Sequence, residues 1–300
     1  MAKPKIPVGV VFPQTEIGAD HGAFRDFAQA AEELGFSHLV AYDHVLGADL
    51  TNRPDWFMPY HLDSMFQEPI TLFSYLAGCT STIGLSTGVI ILPQRQVVLF
   101  GKQAATLDVV SNGRLRVAVG LGWNTIEYDA LGVSFDGRSE RMNDQIRLLR
   151  RLWTERSFSD EGPDYKIVEA GIYPLPVQQP IPIWIGGFSP AAMRRAARIG
   201  DGWFPLLDSA TAAETIGTFR DEIKANGRDP ARVRFENLIF CCPYEAPEPR
   251  RLEDVAADVF IWEKEGADSV CIDTMRFGAK GGGGKAHVEL LRRIAAEIGL

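Results

Sequence analysis

A chain of 300 residues with 29 Gly, 18 Pro and 46% hydrophobic side chains can bury one large core or two modest ones, which excludes a disordered chain and a disulfide-stapled miniprotein. Its 31 Lys and Arg against 39 Asp and Glu leave a formal charge of -8, so the surface is not built to neutralise nucleic-acid phosphates or to dock on an anionic membrane. The four cysteines, Cys79, Cys241, Cys242 and Cys271, show neither CxxC nor zinc-ligand spacing and read as buried thiols of a reducing cytoplasm.

At the N-terminus the apolar run ends at Pro13 without a small-residue cleavage site, and no later stretch approaches the roughly 18 apolar residues of a membrane helix. Neither secretion nor membrane spanning is expected. Strands are predicted near 6–12, 38–43, 82–90, 115–121, 181–185, 201–206, 233–240 and 268–273. Between them run helices with a 3.6-residue apolar stripe: Phe24, Phe27, Ala28, Ala31 and Leu34 early, Ile146, Leu149 and Trp153 midway, and Leu291, Ile294 and Ile298 at the end. Four times a helical stretch meets a Gly and then a short apolar run, at Gly35, Gly113, Gly200 and Gly266, which predicts a left-handed helix cap followed by a strand. Strands such as VGVVF and LRVAVGL are almost continuously apolar, as when protein covers both faces. Eight such units fit an α/β fold of the (β/α)8 TIM barrel type, with a doubly wound sheet as the alternative.

Two connections exceed the usual few residues. The first, near 45–67 and rich in aromatics and Pro, follows a strand and is expected over the barrel mouth. The second, near 154–179, holds FSDEGPDYKIV and is expected to fold back as a hairpin. With no Pro/Ser linker, residues 1–300 read as one domain.

Nucleotide fingerprints fail. Gly120-Leu121-Gly122 has Thr125 where GxGxxG needs its third Gly, and GAKGGGGKA has Ala279 and Ala286 at two required Walker positions. That second run reads as a loop after the last strand. More specific is Ile183-Trp184-Ile185-Gly186-Gly187-Phe188-Ser189-Pro190: a buried strand ends in two glycines, Ser189 can cap the next helix, and Pro190 fits its first position. The free N–H groups of such a helix start suit an anion, although a tight turn needing Gly for geometry alone explains the pattern equally well. Asp43-His44 closes the second strand, where barrel chemistry sits, and a His there can move a proton near neutral pH. Position alone favours a structural His. The remaining histidines show neither HxH nor HExxH spacing, so no metal site is expected.

Taken together, VGVVFPQ, AAEELGFSHLVAYDHV, LSTGVIILPQRQ, KQAATLDVVSNGRLRVAVGLGWN, EYDALG and PIPIWIGGFSPAAMRRAARIGDGW resemble the luciferase-like monooxygenase superfamily, in its branch of F420-dependent oxidoreductases. The resemblance is close over residues 6 to about 207 and weaker beyond. It implies a barrel that holds deazaflavin F420, or alternatively FMN, in its C-terminal mouth. Asp43 and His44 match the pair set beside the deazaflavin ring, with His44 catalytic and Asp43 orienting it or binding the ring. Gly88 and Val89 match a bulge with a non-prolyl cis peptide behind the ring, and Gly186, Gly187, Phe188 and Ser189 match the phosphate-binding turn. Sugar-phosphate dehydrogenases of the superfamily carry a catalytic glutamate where this chain has Trp123, which argues against a glucose 6-phosphate substrate. Trp123, Trp56, Phe57 and Tyr60 suggest an apolar or aromatic substrate pocket, while Trp56 and Phe57 could equally pin the long loop to the barrel. The expected activity is hydride exchange between F420 and a small organic molecule, in a cytoplasmic homodimer. The alternatives are an FMN-dependent monooxygenase served by a separate reductase and a cofactor-binding protein without turnover.

Overall fold

The computed structural model describes residues 3–244, 248–277 and 282–300. β1 (Val8–Val11) leads into α1 (His21–Glu33), followed by β2 (His38–Ala41), α2 (Pro69–Ala77), β3 (Gly84–Thr87), β4 (Ile90–Ile91), α3 (Val97–Val110), β5 (Leu115–Gly120), α4 (Thr125–Ala130) and α5 (Arg138–Leu152). A hairpin of β6 (Phe158–Gly162) and β7 (Tyr165–Ala170) interrupts the alternation. It resumes with β8 (Ile183–Gly186), α6 (Pro190–Ile199), β9 (Gly202–Phe204), α7 (Ala212–Ala225), β10 (Arg234–Phe240), α8 (Leu252–Glu265), β11 (Ser269–Asp273) and α9 (Gly283–Ile298). Parallel pairing runs β3-β2-β1-β11-β10-β9-β8-β5, and β5 pairs back onto β3, which closes a (β/α)8 barrel and rules out the open doubly wound sheet.

Every residue of β1, β2 and β11 is buried, the apolar ones as a strand covered on both faces requires, and the polar ones, His38, Ser269 and Asp273, in hydrogen bonds. Outside them α1 presents Phe27, Ala28, Ala30 and Ala31 to the barrel, and Phe12 meets Phe24 and Phe27 edge-on. Three of the four expected caps, Gly35, Gly113 and Gly266, have positive φ, but Gly200 is extended with φ -82°. Packing accounts for Gly200: a Cβ there would lie 3.0 Å from Ile185 and from the Gly202 carbonyl. The stretch near 154–179 does fold back, with β6 antiparallel to β7. The GAKGGGGKA run lies partly outside the described residues, and its described end, from Gly283, opens α9. Among the described residues no helix is long and apolar enough to cross a membrane.

The N-terminal half of the barrel is closed by an ionic cluster. Glu236 of β10 is fully buried, and accepts from Arg116 Nη1 and Nη2 of β5 at 3.1 and 2.8 Å and meets His38 Nε2 of β2 at 3.1 Å. Ser269 donates to it from β11. Burial alone would push the Glu236 carboxyl up, but Arg116 and His38 overcome that and hold it well below the usual carboxylate range. The interior is plugged below, leaving the C-terminal mouth as the end open to ligands.

Candidate active site

Strand β3 stops at Thr87 and pairing resumes at Ile90, because the Gly88–Val89 peptide is cis and redirects the chain. The Val89 side chain then drops between β5 and β8, where a Cβ on Gly120 or Gly186 would overlap it. These glycines are thus required by close approach, and Gly88, Val89, Gly120 and Gly186 all line one wall of a mouth cavity of about 610 Å³.

His44 follows β2 into this cavity. Its Nδ1 lies 3.0 Å from Oε1 of Glu127 in α4, and its ring is surrounded by Phe66, Tyr60 and Trp123 at centroid distances of 4.7, 4.9 and 5.6 Å. Glu127 is buried and fully engaged: Oε1 also accepts from Val45 N–H at 3.1 Å, and Oε2 accepts from Gln94 Nε2 at 3.2 Å. Asp43, one residue earlier, reaches the cavity edge, but its oxygens accept from Ile91 N–H at 2.9 Å and from Arg95 Nη2 at 2.6 Å. Burial pushes the Asp43 carboxyl up against the pull of Arg95. Its contacts within the chain tie β2 to β4 and fix the backbone from which His44 projects.

At the opposite wall Ser189 caps α6, its hydroxyl accepting from Ala192 N–H at 3.2 Å, with Pro190 in the first turn as expected. Gly187 adopts φ +109°, and its carbonyl accepts from Trp203 Nε1 at 2.8 Å. Phe188 is 69% exposed, so the turn presents backbone rather than a packed side chain. Beside it lies Arg195, also on α6, which is only 8% exposed and donates to Asn143 Oδ1 at 2.9 Å and to Ser139 Oγ. Both hydrogen-bond partners are neutral, and the charge that favours the guanidinium comes from Glu140. Burial, and then Arg198, lowers the Arg195 pKa. A buried cation beside a helix N-terminus can receive an anion.

The rest of the cavity is walled by Met58, Tyr60, Trp123, Phe204, Leu238, Phe240 and Tyr244. The 45–67 stretch crosses the mouth without helix or strand, and Tyr60 in it hydrogen-bonds Tyr244 beyond β10. Beneath them Tyr42 donates to Asp273 Oδ2 at 2.6 Å, and burial pushes the Asp273 carboxyl up to about 6. Trp56 and Phe57 are not among the residues lining this cavity. They line an outer hollow of about 540 Å³ that shares Met58, Trp123 and Asn124 with it. Trp56 donates to the Tyr60 carbonyl at 3.1 Å and stands edge-on to Trp123, so it pins the loop, while Phe57 is 89% exposed.

The structure thus gathers His44, Asp43, Gly88, Val89, Gly186, Gly187, Phe188, Ser189 and Trp123 around one cavity, with Trp56 and Phe57 outside it. Glu127 and Arg195 were not singled out from sequence. Both stand inside motifs of the resemblance, EYDALG and PAAMRRAARIGDGW, yet nothing local distinguishes Glu127 from other helical acids or Arg195 from Arg194.

The chain is a (β/α)8 barrel with its C-terminal mouth shaped by a cis-peptide bulge, a glycine-lined wall and a helix start. Residues 8–272 match the family described as luciferase-like monooxygenase, and the chain belongs to it. Among curated relatives, the F420-dependent glucose-6-phosphate dehydrogenase of Kineococcus radiotolerans is 28% identical over 220 residues, 71% of this chain and 61% of that protein. The matches span about half to two thirds of the length of such relatives. Two solved structures share the fold: monooxygenase RslO1 from Streptomyces bottropensis, with TM-score 0.76 and 20% identity over 97% of this chain and 98% of that one, and an F420-dependent secondary alcohol dehydrogenase in complex with an F420-acetone adduct, with TM-score 0.77 and 16% identity over 98% and 99%.

Proposed function

We propose that the protein is an oxidoreductase that exchanges a hydride between coenzyme F420 and a small, uncharged, apolar or aromatic organic substrate. The observation that carries this reading is that one cavity holds both a histidine with a free ring edge and a cradle for an anionic cofactor. The residues present fit such a group. Gly120 and Gly186 admit the Val89 side chain, which seats the bulge against the cavity wall, and Arg195 is a buried cation whose hydrogen-bond partners are neutral. Likeness to the Kineococcus enzyme and the Asp43-His44 pair favour F420 over FMN.

The phosphate of the cofactor would be held by Arg195 and the backbone from Gly187 to Ser189, and its ring would lie against Gly88 and Val89. When bound, F420 supplies a two-electron carrier that gives or takes hydride. His44 Nε2 supplies or removes the proton that accompanies the hydride at the substrate. Tyr60, Tyr244 and Trp123 keep water from the reacting centre, and the Trp123 indole in place of a carboxylate leaves no charged partner there for a sugar hydroxyl. Purification from a host that makes both cofactors tests the reading. A deazaflavin absorbance in the released cofactor, with turnover by the loaded protein, is the expected result. A flavin spectrum with oxygen-dependent turnover would instead support the FMN monooxygenase, and bound cofactor without turnover a binding protein.

A further inference from the structure

We propose that Glu127 is a positioning residue for His44, which fixes the imidazole in the Nδ1–H tautomer so that the bare Nε2 faces the substrate; this rests on the reading of His44 as the proton-transfer group. Both Glu127 oxygens already accept, Oε1 from Val45 N–H and Oε2 from Gln94 Nε2, so the carboxyl meets His44 as an acceptor and the 3.0 Å contact places the proton on His44 Nδ1. A neutral imidazole then carries its lone pair on Nε2. Phe66, Tyr60 and Trp123 surround the ring with aromatic faces at 4.7–5.6 Å, and Glu127 is the polar side chain that pairs with Nδ1.

Glu127 is built to hold that orientation. Val45 N–H shares Oε1 with His44, which ties the carboxylate to the backbone one residue after His44. Gln94, itself buried, occupies Oε2, and Gln145 Nε2 is anchored nearby on the Arg95 carbonyl at 3.2 Å. Behind Glu127, α4 is tied twice to the chain that enters it: Asn124 caps Ile126 N–H at 3.1 Å, and the Tyr128 hydroxyl donates to the Leu121 carbonyl at 2.6 Å. The carboxylate therefore has little freedom to follow a ring that turns over. It would also compensate positive charge on His44 whenever the imidazole is doubly protonated, a role for a group behind the acid rather than on the substrate.

The test is nitrogen NMR of the full-length protein labelled with ¹⁵N-histidine, before and after F420 is added, with the His44 signal identified by its loss in His44→Gln. The expected wild-type spectrum shows neutral His44 protonated on Nδ1. In Glu127→Leu the tautomer should shift toward Nε2–H and kcat should fall by about tenfold or more, while KM and the F420 dissociation constant stay within about threefold. Glu127→Gln keeps an acceptor if the Gln94 amide turns over, so it should retain the tautomer and recover part of the lost kcat. An Nε2–H wild type, or a Glu127→Leu variant with unchanged tautomer, overturns the proposal. If Glu127→Leu does not fold, Glu127→Gln with wild-type kcat and a changed tautomer does the same. Should the tautomer shift as expected while His44→Gln turns over normally, the role of His44 fails and the Glu127 contact stands.

Discussion

Gly187 combines two constraints that any side chain would violate: its φ of +109° lies where L-residues are strained, and a Cβ would sit 3.3 Å from Ala192. Gly187→Val should therefore weaken F420 binding at least about tenfold, equivalent to roughly 1.4 kcal/mol, with the fold intact by circular dichroism. Arg195→Met removes the cation rather than the backbone cradle. Loss of a charge-assisted hydrogen bond costs about 2 kcal/mol, or roughly 30-fold in affinity, and an analogue lacking the phosphate should bind both proteins alike. Equal loss for both ligands by calorimetry would show that Arg195 supports the fold instead. For His44→Ala the expectation is a fall in turnover of roughly 10²-fold or more with cofactor affinity within several-fold, since general acid-base groups contribute about 10²–10⁴. Lost affinity alone would make His44 a binding residue. The place of His44 was legible in the sequence because the end of an apolar strand marks the barrel mouth, whereas its expected role came from the family resemblance; Glu127 was not legible, because its meaning arises only when α4 folds back 83 residues later to meet it.

Among the elements, the strand-helix alternation was readable because barrel strands are apolar throughout and helices carry a stripe. The split of the third strand at Gly88–Val89 came from the family resemblance, since composition does not distinguish 82–90 from one continuous strand. The ATLDVVSNGR run proves to be a brace: Asp108 accepts from Gln178 N–H at 2.9 Å, and Arg114 donates to the carbonyls of Ala77, Thr80 and Ile83. Contacts 31 to 70 residues distant in sequence cannot be inferred from local pattern. The same holds for the cross-barrel link from β10 to β5 and β2 through Glu236. Its pKa is depressed in the fold, so it contributes stability that is present above its unfolded value near 4.3 and lost as pH falls toward the lower folded value. Glu236→Gln, which leaves Arg116 without its carboxylate, should cost about 3–5 kcal/mol at pH 7 by urea denaturation, and the gap to wild type should narrow below about pH 4. A gap independent of pH would mean that packing, not charge, accounts for the loss.

On the scale of the molecule, the closed barrel places an ionic plug at one end and a cavity of about 610 Å³ at the other, and the 45–67 loop covers that cavity by linking Tyr60 to Tyr244. Position over the mouth was readable from loop length and order in the chain. Which aromatics enter was not, because Trp56 and Phe57 are equally hydrophobic in sequence and are turned outward only by the path of the loop, which the Trp56 bond to Tyr60 holds. Turnover depends on a substrate still to be found, whereas cofactor choice can be measured on the purified protein directly. Parallel titration of cofactor-free protein with F420 and with FMN, followed by fluorescence, should give at least about tenfold tighter binding of F420, a difference of roughly 1.4 kcal/mol. Tighter binding of FMN, or no saturable binding of F420, would contradict the proposed function.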